Sequence, residues 1–231
     1  MRWLLRFFHA ADAMPGWMIL LTAAVGIYAG AVSWLDPKSV DEALAMLLLW
    51  QMLAASAGFA RPAAAGHFDP ALVASSRSLV AIAHALHAVW PVTVLWLAIA
   101  AVDAAFHRSL PLAFEPGRLA AFAFVSAASW ALSLPAPRLV TGSLWLMAIV
   151  VSATTRFGAD QYTSMLSRPD GTLPELLHAA ALTLVCPFLL VGDHVPPREG
   201  AAIIAGAASV VAAACGVVHV ARRDFALEPS L

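Results

Sequence analysis

Four histidines in apolar surroundings are the residues of this sequence best equipped for chemistry: His84 and His87, three apart and so on one helical face, with His178 and His219 elsewhere. Imidazoles inside a membrane can ligate haem or a metal, and ionisable groups there are costly and often functional. A membrane haem or electron-carrier protein built on these four residues is therefore one reading. Two ligands of a single haem must come from facing helices, however, and a spacing of three on one helix does not supply that. The alternative is a neutral, hydrogen-bonded packing role or a location near the cytoplasmic end, and the spacing favours it.

Other chemistry is missing. The sequence has no Gly-x-x-x-x-Gly-Lys-Ser/Thr phosphate loop and its sole lysine is Lys38, so this chain cannot hydrolyse ATP in the usual way. His-Glu-x-x-His and Gly-x-Ser-x-Gly do not occur, which leaves intramembrane proteolysis and lipid hydrolysis without a motif. Cys186 and Cys215 stand twenty-nine positions apart in apolar runs without metal or redox spacing, and read as buried membrane residues. The expectation is a chain with no catalytic residue, no metal site and no cofactor of its own.

The elements that must position these residues follow from composition. Of 231 residues, 61% are hydrophobic and only 12% charged, about half the charge of a soluble domain. Runs free of Asp, Glu, Lys and Arg cover Ala13–Leu35, Ala43–Ala60, Ser78–Val102, Leu119–Pro137, Leu139–Thr155, Leu176–Gly192 and Gly200–Ala221, each 17 to 25 residues long. About 20 apolar residues cross a bilayer as a helix, and continuous runs exclude the alternation of a barrel. Carboxylates are absent from all seven runs, which argues against a proton or sodium carrier. A net charge of −1 without a polybasic tract excludes nucleic acid as a partner.

The sixth run is different, since Pro174 precedes it and Pro187 interrupts it, and proline breaks helices. A re-entrant hairpin over residues 174–199 is expected, and the basic residues agree. With the N-terminus inside, turning this run back places seven Lys and Arg on the cytoplasmic side and six outside, whereas a seventh crossing reverses the balance. Six crossings with both termini cytoplasmic follow. Residues 1–12 read as an interfacial helix, with Trp3, Leu4, Phe7 and Phe8 apolar and Arg2, Arg6 and His9 able to reach headgroups. A basic flank that merely orients the first span would explain them equally.

Between the second and third runs lies Gly66-His67-Phe68-Asp69-Pro70-Ala71-Leu72, followed by Val73 and then Ser75-Ser76-Arg77. Asp69 as N-cap with Pro70 at the first helical position starts a helix, expected to reach about Arg77 and to project Phe68, Leu72 and Val73 from the membrane face. Such a knob suits a docking element, although a capped connection between two helices would look the same. This loop, in its setting of an interfacial helix, two spans and four further helices with a broken hairpin before the last, resembles the permease subunit of type-2 ABC exporters. In that family the corresponding loop is the coupling helix, which sits in a groove of a separate ATPase. The resemblance covers nearly the whole chain in organisation, with Gly66 to Arg77 as its local motif. It implies that Gly66, Phe68, Asp69, Leu72 and Arg77 contact the ATPase. It also implies two ATPase copies that bind ATP and Mg, and a second permease, identical or related.

The expected protein is thus a single all-α, six-span permease domain of a bacterial inner membrane, the bacterial setting resting on twelve arginines to one lysine and much alanine. Its cargo would be amphipathic or hydrophobic, and a non-transport assembly factor is the remaining alternative. Lesser expectations concern packing. Pro91 should kink the third span with Thr93 re-satisfying freed carbonyls, and Gly26 and Gly30 form a Gly-x-x-x-Gly compatible with a dimer interface. Trp3, Trp17, Trp34 and Trp145 read as interfacial anchors, and Trp50, Trp90 and Trp96 as deeper residues lining a cavity or packing on lipid.

Overall fold

The computed structural model describes residues 1–11, 20, 23–24, 26–28, 31, 40–55, 69–107, 114–135, 142–148, 150, 172–185, 187 and 199–222. Among these residues the protein is all helical, without strands. The helices are α1 (Arg2–Ala11), α2 (Val40–Ala55), α3 (Asp69–Ala74), α4 (Arg77–His107), α5 (Pro116–Ser133), α6 (Leu173–Val185) and α7 (Glu199–Arg222), and 142–148 is also helical.

Two of them are long and apolar enough to cross a membrane, over Arg77–Val102 and Gly200–Arg222, and α2 carries the shorter apolar stretch Ala43–Met52. Their outward faces are apolar too. On α4 the exposed stripe is Leu79, Ile82, Leu86, Trp90, Val94 and Leu97, and on α7 Ile203, Val210, Val211 and Val218 are exposed. A helix apolar on all sides suits a bilayer, so these surfaces support membrane association. The 31 residues of α4 measure roughly 46 Å, close to the ~40–45 Å of a bilayer with its headgroups.

The fourth apolar run forms α5, which starts earlier than the run itself because Pro116 occupies its first turn after Glu115. With three serines on one face, α5 is less apolar than α4 or α7, and it lies between α2, α4 and α7. A helix covered by protein need not be as apolar as one that meets lipid. At its start the Glu115 carboxylate accepts the Arg118 Nε at 3.5 Å. The sixth run forms α6, with Pro174 as its second residue and its end at Val185, ahead of Pro187. Its 13 residues extend about 20 Å against a hydrocarbon thickness of about 30 Å.

The core has two layers stacked along α4. One gathers Ala43–Met52 of α2, Val92–Ala100 of α4, Ala121–Ala128 of α5, Trp145, Ala148, and Ala201 and Ala205 of α7. The other gathers Leu4 and Phe8 of α1, Ala71 of α3, Val80–Ala88 of α4, Trp130 and Leu134 at the end of α5, and Val220 of α7. α5 and α7 therefore run in the same direction, antiparallel to α4. α1, α3 and the C-terminal end of α7 share one end of the bundle.

Several tryptophans sit differently from expectation. Trp145 is buried in the first layer with Trp50 and Trp96, not at an interface, and Trp96 packs on Phe122 with ring centroids 4.7 Å apart. Trp90 is on the outward face and Trp3 is exposed; Trp17 and Trp34 lie outside the described residues. Gly26 faces Leu95 of α4, so its bare backbone serves an approach within the chain, and Gly30 lies outside the described residues. Cys215 is exposed on α7 rather than buried. α4 continues through Pro91, and the Thr93 hydroxyl donates to the Val89 carbonyl at 3.0 Å. Pro91 deprives the carbonyl of His87, four residues back, of a donor, so Thr93 serves a different carbonyl from the one expected.

Candidate functional site

α3 is a six-residue helix opening at Asp69 and Pro70, as the capping pattern predicts, but it ends at Ala74 instead of near Arg77. The reason is Ser76. Its Oγ accepts the Leu79 N–H at 3.4 Å and its carbonyl accepts the Val80 N–H at 3.1 Å, so Ser76 is the N-cap of α4 and Arg77 the first residue of that helix. The Ser-Ser-Arg sequence thus separates two helices. Ser76→Ala should cost about 0.5–1 kcal/mol, read as a lower midpoint in detergent unfolding and faster exchange of the Leu79 amide, while Ser76→Asp should preserve both.

The orientation of α3 also departs from expectation. Ala71 is fully buried in the second layer and Leu72 packs against that layer half-buried, so Leu72 does not project. Val73 does, at 88% exposure. Asp69 and Arg77 are exposed. Gly66 and Phe68 lie outside the described residues. Of the five residues tied to ATPase contact, the structure therefore brings Asp69, Leu72 and Arg77 into one region, with Leu72 turned inward.

Beneath α3 lies an aromatic cluster that joins four helices. The Trp130 Nε1–H of α5 donates to His84 Nδ1 of α4 at 3.0 Å, and both side chains are buried. An indole nitrogen can only donate, so Nδ1 carries the lone pair and the imidazole proton is on Nε2. Phe8 of α1 packs edge-on to His84 with centroids 5.3 Å apart, and stacks on His87 at 6.4 Å. On the far side, Gly216 of α7 lies against Trp130, where an added Cβ would stand 2.9 and 3.0 Å from two ring atoms and nearer still to a third. Ser133 closes the turn by donating to the Trp130 carbonyl at 2.7 Å.

This arrangement favours the packing reading of His84 and His87. Among the described residues no group of three or more His, Cys, Asp or Glu is placed to hold a metal. His219 lies in the last turn of α7 and His178 within α6.

The α1 helix explains how the cluster is clamped. Leu4 and Phe8, four apart, are buried against α4, while Arg2 and Arg6 form a separate exposed pair. Trp3 and Phe7 stack on each other at 5.7 Å. Trp130 and Gly216 are the residues that sequence reasoning missed, each lying inside a run of small and apolar neighbours. Gln51 was missed as well. It is fully buried on α2, and among the described residues neither of its amide atoms nor the Trp145 Nε1 in the same layer has a hydrogen-bond partner. A charge-free run gives no signal for an uncharged amide. No family model, curated protein or solved structure matches this chain.

Proposed function

We propose that this chain is the membrane subunit of an ATP-driven exporter of the type-2 ABC class, docking a separate ATPase through α3. The observation that carries the reading is the seating of α3: Val73 stands out into solvent while Ala71 is sealed into the layer shared by α1, α4, α5 and α7. An apolar side chain held out on a rigid helix gains about 1.5 kcal/mol or more when a partner covers it. Movement of that partner would pass through Ala71 into the layer formed by the helix ends. ATP and Mg would be bound by the ATPase, present in two copies beside two permease subunits.

The topology of this reading has six crossings, both termini in the cytoplasm of a bacterium and a re-entrant segment over residues 174–199. Its support is directional. α5 and α7 run the same way, which requires an odd number of crossings between them. A single crossing over 139–155 with a turning-back α6 meets that condition, and the 13-residue length of α6 suits a segment that turns back. Spans without carboxylates fit an amphipathic or hydrophobic cargo.

The test is affinity purification from the native membrane in mild detergent. The wild-type chain should bring down an ATPase with nucleotide-hydrolysing activity. Val73→Asp should abolish that association with the unfolding midpoint unchanged, because the side chain touches little of its own chain. A wild-type chain purified without an ATPase, or full retention of the ATPase by Val73→Asp, would overturn the reading.

A further inference from the structure

We propose that the cleft between α1 and the middle of α4 binds one anionic glycerophospholipid, with its phosphate on Arg6 and an acyl chain along Leu86, Trp90 and Val94. The cleft has a volume of about 810 Å³, within the ~300–1,000 Å³ typical of small-molecule sites. Its walls divide by chemistry. The α4 side is hydrocarbon and indole, and the Thr93 hydroxyl within it is already engaged by the Val89 carbonyl. His87, at the α1 end, is buried and stacked on Phe8. Among the described residues that line the cleft, Arg6 is the one fixed charge, it is exposed, and none is a carboxylate.

Depth sets the direction of the ligand. α1 is amphipathic and meets α4 at His84 and His87, so its arginines lie at headgroup level when α4 spans a bilayer. From that level Leu86, Trp90 and Val94 descend along the outward stripe of α4. A lipid with its phosphate beside Arg6 would lay its chain on that stripe, parallel to its neighbours in the leaflet. An anionic headgroup satisfies the guanidinium, whereas a choline headgroup would bring a second cation toward it. The site requires α4 to lie in a membrane but does not require an ATPase.

The experiment is native mass spectrometry of the full chain, extracted in mild detergent and offered phosphatidylglycerol or phosphatidylcholine with the same acyl chains. Wild type should retain phosphatidylglycerol about fivefold better, the effect of roughly one surface arginine. Arg6→Gln should erase that preference, and Val94→Trp, which fills the cleft from an exposed position, should reduce retention of both lipids. Equal retention by wild type, or an unchanged preference in Arg6→Gln, would overturn the proposal. So would stabilisation by inorganic phosphate alone equal to that by the lipid, which would reveal an ion site. Recovery of the chain in the soluble fraction would remove this site and the exporter reading together, whereas absence of an ATPase alone would leave the lipid result standing.

Discussion

Replacing Trp130 by alanine should lower the unfolding free energy by about 3–5 kcal/mol, the range for emptying a buried aromatic site. The loss divides into two parts of unequal size. The indole fills the space between His84 of α4 and Gly216 of α7, and neither backbone can close on the void without separating from its other contacts. The hydrogen bond to His84 contributes less, since a neutral intramolecular hydrogen bond is worth about 0.5–1.5 kcal/mol net. Trp130→Phe keeps most of the ring while stranding His84 Nδ1, and should cost about 1 kcal/mol. Equilibrium unfolding in mixed micelles, followed by far-ultraviolet circular dichroism, separates the two. Equal costs for Trp130→Phe and Trp130→Ala would place the energy in the hydrogen bond and refute the packing account.

Gly216→Val should be comparably damaging for the opposite reason. Even the first carbon of a side chain meets Trp130 ring atoms at 2.9 and 3.0 Å, closer than van der Waals contact allows, and the indole is hemmed in by His84 on its other side. Gly216→Ala should cost about 1–3 kcal/mol by overpacking, and valine more, as α7 is pushed from α5. The two sites must then be coupled. Gly216→Ala combined with Trp130→Leu should cost less than the sum of the separate changes by about 0.5–3 kcal/mol. Strict additivity in that double-mutant cycle would mean that the glycine and the indole do not share the space.

Much of the helical framework was legible in the sequence. Charge-free runs located α2, α4, α5 and α7 because lipid and a buried helix core both exclude charge, and prolines mark α6, with Pro174 in its first turn, where the missing N–H costs nothing, and Pro187 beyond its end. Asp69-Pro70 marked the start of α3. Its rotation was not legible: six residues contain too few turns to establish a periodic face, and docking against the second layer decided that Ala71 turns in and Val73 out. Ser76 was hidden because both serines of the pair could cap, and only the tertiary path selects one. Trp145 reads as an anchor beside an apolar run but is buried in the first core layer, which the local sequence does not encode. Trp130 and Gly216 acquire their roles from each other across a long stretch of chain, so neither carries a local signal.

That separation governs how the protein is made. The most extensive helix pair joins α5 to α7, and roughly ninety residues are synthesised between the end of one and the end of the other, which takes about 5–20 s at ribosomal speed. During that interval Trp130 can already hold His84, since α4 precedes it in the chain, but the side of the indole destined for Gly216 has no protein to rest on. α5, the helix with the serine face, must wait as a half-covered element until the last helix arrives. Ribosome-stalled chains that stop short of α7 are consequently the species in which a chaperone has a reason to hold this protein.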